Sequence, residues 1–221
     1  MISVIVPALN EAALLPATLE ALAANPCPHE VIVVAADSAD ATVSLAAAAG
    51  ARVLHSTRRQ RAAQMNLGAQ AVQSDTLLFL HADTRLPPRA LGDIQTALAD
   101  QRTVGGAFLR WFDSPAAFLR WSCRFGHWRA RLTGWFLGDQ GIFVRRQVFR
   151  DLVGFHEWDM FEDLDFSRRL KRCGKVVFLE TPVVSSARRF SSRGPLATTL
   201  RDVWLTCRYL ASRPPAPRRL D

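Results

Sequence analysis

Lysine is almost missing from this 221-residue chain. Lys171 and Lys175 are the only two, although Lys and Arg together number 28 against 20 Asp and Glu. The net charge of +8 is therefore carried by arginine, whose planar fork matches phosphate bidentately where an ammonium offers a point charge. Cysteine is also scarce. Cys27, Cys123, Cys173 and Cys207 are scattered with no Cys-x-x-Cys pair. That excludes a zinc cage and a disulfide framework, and leaves buried free thiols as the expectation. No apolar run nears the roughly 18 residues of a membrane-crossing helix. The N-terminus enters a strand at once, without the basic region and cleavage site of a secretory leader, so a cytoplasmic location is expected. Glycine-rich phosphate loops are missing too. The first strand–helix turn reads Pro7-Ala8-Leu9-Asn10-Glu11, which is neither a dinucleotide fingerprint nor a P-loop. It also lacks the Gly-rich, Arg-bearing loop of a sugar nucleotidyltransferase. No RNA- or DNA-binding motif accompanies the charge, so nucleic acid is not an expected partner. Nucleotide diphosphates and anionic lipid surfaces are.

What is present is an alternation of strand and helix patterns. Ile2–Ala8, Val31–Ala36, Arg52–His55 and Thr76–His81 read as buried apolar strands. Between them, Glu11–Ala24 (with Asn10 as a cap), Asp40–Ala49 (ended by Gly50) and Arg61–Val72 have helical periodicity. Pro87-Pro88 opens a further helix to about Leu98. This rhythm predicts an α/β fold, a mostly parallel sheet with helices on both faces. Beyond residue 100 the pattern changes. Gly105–Phe112, Gly141–Arg145 and Val176–Leu179 read as strands, and Gln147–Leu152, Glu162–Arg172 and Leu196–Leu210 as helices. An aromatic, arginine-rich segment, Pro115–Trp135, separates the first two strands. Without repeats or a long linker, one domain is expected: a ligand-binding half over residues 1–100, an acceptor-side half over 101–210, and a mobile Pro/Arg-rich tail over 211–221.

The strand Thr76–His81 runs straight into Ala82-Asp83, and ligands of open α/β sheets bind outside the carboxyl ends of strands. Asp83 offers a hard oxygen to a divalent cation, and His81 is either a softer ligand or a polar strand end. Asn10-Glu11 reads as a base or ribose contact, or as a cap and first-turn acid. The turn Asp37-Ser38-Ala39-Asp40 suits ribose hydroxyls, with Asp40 equally an N-cap. Arg61, Gln64 and Gly68 share a helical face, for phosphate or for solvent. Gly138-Asp139-Gln140-Gly141 allows backbone close to a ligand, or a hairpin turn. Glu162-Asp163 opens a helix, where acids complement the dipole and where a proton acceptor can stand.

In order and spacing, Ser3–Glu11, Glu30–Thr42, His81–Thr84 and Glu162-Asp163 resemble the family 2 glycosyltransferases of the GT-A fold. Arg61-x-x-Gln64-Met65-Asn66-x-Gly68-Ala69, Leu80–Pro87, Gly138–Arg146 and Ser186–Arg189 look most like a bacterial subfamily associated with radical-SAM and selenodomain proteins. The resemblance runs from about Ile2 to Leu210. It implies a Rossmann-like sheet with C-terminal acceptor-side helices, and an inverting transfer from a nucleoside-diphosphate sugar to an acceptor hydroxyl. Pro7, Ala8, Leu9, Asn10 and Glu11 would line the nucleoside, with Asp37, Arg61, Gln64 and Ala82 near it. Asp83 would hold Mg²⁺ or Mn²⁺ on the diphosphate. Asp163, beside Glu162, would deprotonate the acceptor. Gly138, Asp139, Gln140, Arg188 and Arg189 would lie on the acceptor or phosphate side. The chain departs from the family pattern at His81, the first position of the usual Asp-x-Asp, and at Ala35 and Ala36, where an acid is usual and Asp37 stands nearby. Those departures also motivate an alternative, a nucleotide-sugar-binding protein with a degenerate, non-catalytic site. The aromatic-arginine segment and the Leu196–Leu210 helix suggest peripheral contact with the inner face of the cell membrane, and with it a lipid-linked acceptor, or else an ordinary core and basic rim.

Overall fold

A computed structural model describes residues 1–190 and 194–211. The tail expected from Arg213 onward lies outside the described residues. One eight-stranded sheet organises the described residues, in the order β3-β2-β1-β4-β7-β6-β8-β5. Its strands are β1 (Ile2–Ala8), β2 (His29–Ala35), β3 (Arg52–His55), β4 (Thr76–Phe79), β5 (Thr84–Arg85), β6 (Thr103–Phe112), β7 (Ile142–Arg145) and β8 (Lys175–Ser185). Every residue of β1 is buried, as a central parallel strand covered on both faces requires.

Side chains alternating along these strands feed two cores. Ile2, Val4, Val6 and Leu78 meet α1 (Leu15–Ala23), α2 (Thr42–Ala48) and α4 (Ala90–Ala99) through Leu15, Leu19, Leu22, Ala46, Leu91 and Ile94. On the other face, Ile5, Ile32, Leu77 and Phe79 meet α3 (Arg61–Gln70), α6 (Arg146–Asp151) and α7 (Glu162–Cys173) through Ala62, Met65, Phe149, Phe166 and Leu170. Gly68 allows α3 to lie close: a Cβ there would stand 2.5 Å from Ile5 Cγ2. Gly68 thus serves helix–sheet packing, and not the ligand face on which its spacing from Arg61 put it.

Several boundaries depart from the sequence pattern for identifiable reasons. The first helix starts at Leu15 and not at Glu11, because Pro16 sets its first turn. Asn10 is no cap; it adopts a left-handed φ of 55°, and its Oδ1 accepts from Ala39 N–H at 2.8 Å. Strand β8 continues past Leu179, since a register shift between Phe108 and Leu109 accommodates Pro182. The segment Pro115–Trp135 contains a 17-residue helix, α5 (Ala117–Thr133), whose inward stripe of Leu119, Cys123 and Ala130 is thin. The last helix, α8 (Pro195–Ala211), includes Ala211, which the expected tail had claimed. Of the four free cysteines only Cys123 is buried; Cys27 is partly exposed, and Cys173 and Cys207 lie on the surface, because their helices turn those positions outward.

The most consequential departure is β7. It runs antiparallel to both neighbours, β4 and β6, in a sheet otherwise led by parallel pairs. Phe79, the end of β4, is therefore paired with Ile142, the beginning of β7. This inversion brings the turn before β7 alongside His81-Ala82-Asp83. Since β6 and β8 run parallel to one another and opposite to β7, their ends, Phe112 and Ser185, arrive at the same edge.

Candidate active site

That edge holds a cleft of about 620 Å³. It is floored by Pro7, Ala8, Leu9 and Glu11 after β1, His81 and Asp83 after β4, Asp139 before β7, and Glu162-Asp163 at the start of α7. Arg61, Arg188 and Arg189 line it as well. Most of the residues singled out in the sequence are thus brought together from both halves of the chain.

The nucleoside-side loops are tied to one another. Glu11 N–H donates to Thr42 Oγ1 at 2.8 Å, and Ala12 N–H to Asp40 Oδ2 at 3.0 Å. The other Asp40 oxygen accepts from Thr42 N–H at 3.0 Å, so Asp40 fastens the start of α2 to the first turn. Gln64 lines the cleft but is buried, and its Nε2 donates to Ala8 O at 3.0 Å and Val34 O at 2.7 Å. It fixes the ends of β1 and β2, and its amide nitrogen is not presented to a ligand.

Asp163 is held by two backbone donors. Its Oδ2 accepts from Gly138 N–H at 2.6 Å and its Oδ1 from Leu164 N–H at 2.6 Å. Gly138 is required for this approach, because a Cβ there would lie 2.7 Å from His81 Nε2 and 3.3 Å from Asp163 Oδ2. Burial raises the Asp163 pKa, opposed by the Gly138 N–H and by Arg61. Glu162, only 5% exposed, sits 3.4 Å from Arg61 Nη1. Burial, then the neighbouring Asp163 charge, push its pKa up to about 7. The two carboxyls therefore titrate as a pair.

The Glu162 shift has a consequence for stability. The unfolded chain releases this proton near 4.5 while the folded chain keeps it to about 7. Folding stability is therefore expected to fall as pH rises through that window, and to be unaffected by this group below it. Melting curves of the wild type and Glu162→Gln across pH 4.5–7 test this. The variant should show a shallower decline, since the raised Asp163 keeps its own share, and an identical decline in both would assign it elsewhere.

On the opposite wall, Arg188 pairs with Glu11 and lies 3.6 Å from Asp83. Burial raises the Asp83 pKa, and Arg188 works against it. Glu11 Oε2, His81 Nε2 and Asp139 Oδ1 are buried without a hydrogen-bond partner among the described residues. Burial and Arg61 push the His81 pKa down to about 3, so the imidazole is neutral. Asp139 is bound on its other oxygen by Arg110. Arg188 and Arg189 belong to a short 3₁₀ turn, Arg188–Phe190, and Arg189 pairs with Asp202 of α8.

Some expected contacts do not reach the cleft. Asp37 is exposed and pairs with Arg59 at 2.6 Å, because its left-handed φ of 52° turns it away from the β2 end. Ala82 is buried, and its carbonyl accepts from Thr18 Oγ1 at 2.8 Å. Gln140 is buried too; its side chain donates to Phe108 O and accepts from Leu137 N–H, which shapes the turn. Gly138 contributes backbone only. Conversely, no motif or periodicity singles out Arg110 or Arg129. Both lie near Asp139, and Arg129, half-buried on α5, also feels Asp163. Their signal was lost among the other arginines. Gln60 and Trp158–Phe161 also line the cleft from loops without periodicity.

Three solved glycosyltransferases share this fold. A mannosyltransferase from Pyrobaculum calidifontis, in complex with GDP-Man and Mn²⁺, superposes with a TM-score of 0.74 at 21% identity, over 98% of this chain and 66% of the other. S. aureus TarS 1–349 with UDP-GlcNAc gives 0.67 at 17%, over 85% and 58%. Glucosyl-3-phosphoglycerate synthase from Mycobacterium tuberculosis, with Mn²⁺, UDP and glucosyl-3-phosphoglycerate, gives 0.66 at 19%, over 94% and 78%. The chain thus spans less than two thirds of the length of the first two. No curated protein matches it significantly. The family model for glycosyl transferase family 2 matches residues 3–152, and on that match the chain belongs to glycosyl transferase family 2.

Proposed function

We propose that this protein is an inverting glycosyltransferase, moving a sugar from a nucleoside-diphosphate donor to an acceptor hydroxyl. The observation that carries the reading is Asp163. It is a buried carboxylate at a cleft wall, held by two backbone N–H groups that favour its charged form, with Asp83 on the other side of the same cleft. An acceptor hydroxyl directed at Asp163 would lose its proton to that carboxylate as its oxygen attacks the anomeric carbon from the face opposite the leaving diphosphate. Arg61, Arg188 and Arg189 supply the positive wall for the diphosphate. Displacing Arg188 from Glu11 would free that acid for the ribose. In this reading, residues 1–100 mainly hold the donor and 101–210 the acceptor.

No group of three His, Cys, Asp or Glu among the described residues forms a metal cage. What fits is Mg²⁺ or Mn²⁺ held by one protein carboxylate, Asp83, with the diphosphate furnishing the other oxygens. Such an ion would neutralise charge on the departing diphosphate. His81, neutral and with Nε2 free of a partner among the described residues, stands next to that position.

Asp83→Ala is expected to weaken nucleotide-sugar binding by about 10- to 100-fold, at roughly 1.4 kcal/mol per tenfold. A thermal-shift panel of UDP-, GDP- and dTDP-sugars, with and without Mn²⁺, reads this out and names the base. The Mn²⁺-dependent part of the shift should vanish in the variant. A full shift retained by Asp83→Ala would remove Asp83 from the donor site. The burial of Ala35 and Ala36 at the second turn, with no acid replacing them in the cleft, favours the alternative of a binding protein with a degenerate site. Donor binding in that panel, with no turnover in a separate assay across donors and acceptors, would favour that alternative.

A further inference from the structure

Folded chains usually scatter exposed apolar side chains singly. Here nine of the twelve large exposed ones among the described residues lie on just two helices, four on α5 and five on α8, and those helices pack against one another. On α5 they are Trp121, Phe125, Trp128 and Leu132, at 62%, 51%, 60% and 64% exposure. Their spacing of four, three and four residues makes one stripe along the helix. The rings form a preassembled strip, with Trp121 and Phe125 stacked at 5.8 Å and Phe125 and Trp128 5.9 Å apart. On α8, Leu196, Leu200, Val203 and Leu210 repeat with the same period, beside Trp204.

The charge beside these stripes has one sign. Arg120 and Arg124 on α5 and Arg201 and Arg208 on α8 are exposed. Neither helix carries an acid except Asp202, which is turned toward Arg189 and the cleft. A second copy of such a face would meet its own arginines, and like charges brought together are unfavourable. A phosphodiester chain would satisfy the arginines but leave the Leu and Val stripe in water. A bilayer with anionic headgroups satisfies both: tryptophan rings and aliphatic side chains enter the interface while guanidinium groups meet phosphate. No helix among the described residues is long and apolar enough to cross a membrane, so contact would be in the plane.

We propose that the α5–α8 face docks on an anionic lipid bilayer. The inner side of α8 contributes Asp202, Leu205 and Thr206 to the cleft. Docking would therefore set the cleft beside the lipid headgroups, where a lipid-linked acceptor would be presented. The docking itself does not depend on the transferase reading, since vesicle binding and sugar transfer are measured separately.

Vesicle sedimentation tests the proposal, using phosphatidylcholine alone and phosphatidylcholine mixed with phosphatidylglycerol. The full chain should bind the mixed vesicles far more tightly than the neutral ones, and less so as salt is raised. Trp121→Ala/Trp128→Ala/Trp204→Ala should weaken binding by at least about tenfold, since each ring gives up apolar burial. Arg120→Gln/Arg124→Gln should weaken it by about fivefold per arginine and blunt the salt dependence. All five positions are exposed, so melting curves should match the wild type. No binding to anionic vesicles, or equal binding by the tryptophan variant, overturns the proposal. So does a dimer in sedimentation velocity that the tryptophan variant dissociates, which would give the face to a second copy. DNA binding abolished by the same variant, without vesicle binding, would give it to nucleic acid.

Discussion

Asp163→Asn is expected to lower kcat by about three orders of magnitude while leaving nucleotide-sugar affinity nearly unchanged, because it removes a proton acceptor and no donor contact. Asparagine keeps the size and one acceptor oxygen. It must turn its NH₂ toward either Gly138 N–H or Leu164 N–H, both of which now donate to the carboxylate. Leaving one of those donors unsatisfied costs about 1–3 kcal/mol of stability. The expected result is therefore a folded variant with a moderately lower Tm and almost no turnover. In the wild type, kcat/KM should fall as pH drops through the raised titration of the Glu162–Asp163 pair, since the base must be unprotonated. If Asp163→Asn retained near-normal turnover, the base would have to be sought elsewhere, first at Glu162, 3.4 Å from Arg61.

How much of this site was legible beforehand depends on what kind of physics places each residue. The four parallel strands of the first half announce themselves through continuous apolar runs, and β1 and β3 begin and end where those runs do. Asp83 and Glu11 could be found because each follows a strand whose end faces the ligand edge of an α/β sheet, and Arg61 and Glu162-Asp163 because each opens a helix. Periodicity carries no information about strand direction. The antiparallel placement of β7, which brings Asp139 and Gly138 beside His81, is a tertiary outcome. Side-chain orientation was equally hidden. Gln64 and Arg61 share a helix face, yet one is spent on backbone carbonyls and the other lines the cleft with its side chain half exposed. Asp37 looked like a substitute for the acids absent at Ala35 and Ala36, but backbone twist, which composition does not encode, turns it outward.

Beneath the cleft, Asp139→Asn should be the most destabilising single change at this site, costing about 3–5 kcal/mol and lowering Tm by about 10 °C or more. Arg110 and Asp139 are only 16% and 18% exposed. Burial alone would raise the Asp139 pKa, but the Arg110 guanidinium outweighs it and the net shift is downward. The pair's contribution is thus present above the ordinary aspartate range and lost as pH falls below it, so the variant should also lose that acid limb. The loss arises mainly because Arg110 would be left as an uncompensated buried charge. Arg110 has a partial substitute, the Phe112 ring, 4.4 Å beneath its guanidinium carbon. Removing both charges in Asp139→Asn/Arg110→Met should therefore recover much of the stability. Comparing the two variants separates structure from chemistry. Asp139 Oδ1 lies buried in the cleft with no partner among the described residues. If the double variant regains Tm but not turnover, that oxygen serves the reacting ligands. If both return together, Asp139 is a structural anchor for the turn that positions Gly138 against Asp163. A Tm within about 2 °C of wild type for Asp139→Asn alone would instead show that the pair is solvated and contributes little, as surface ion pairs do.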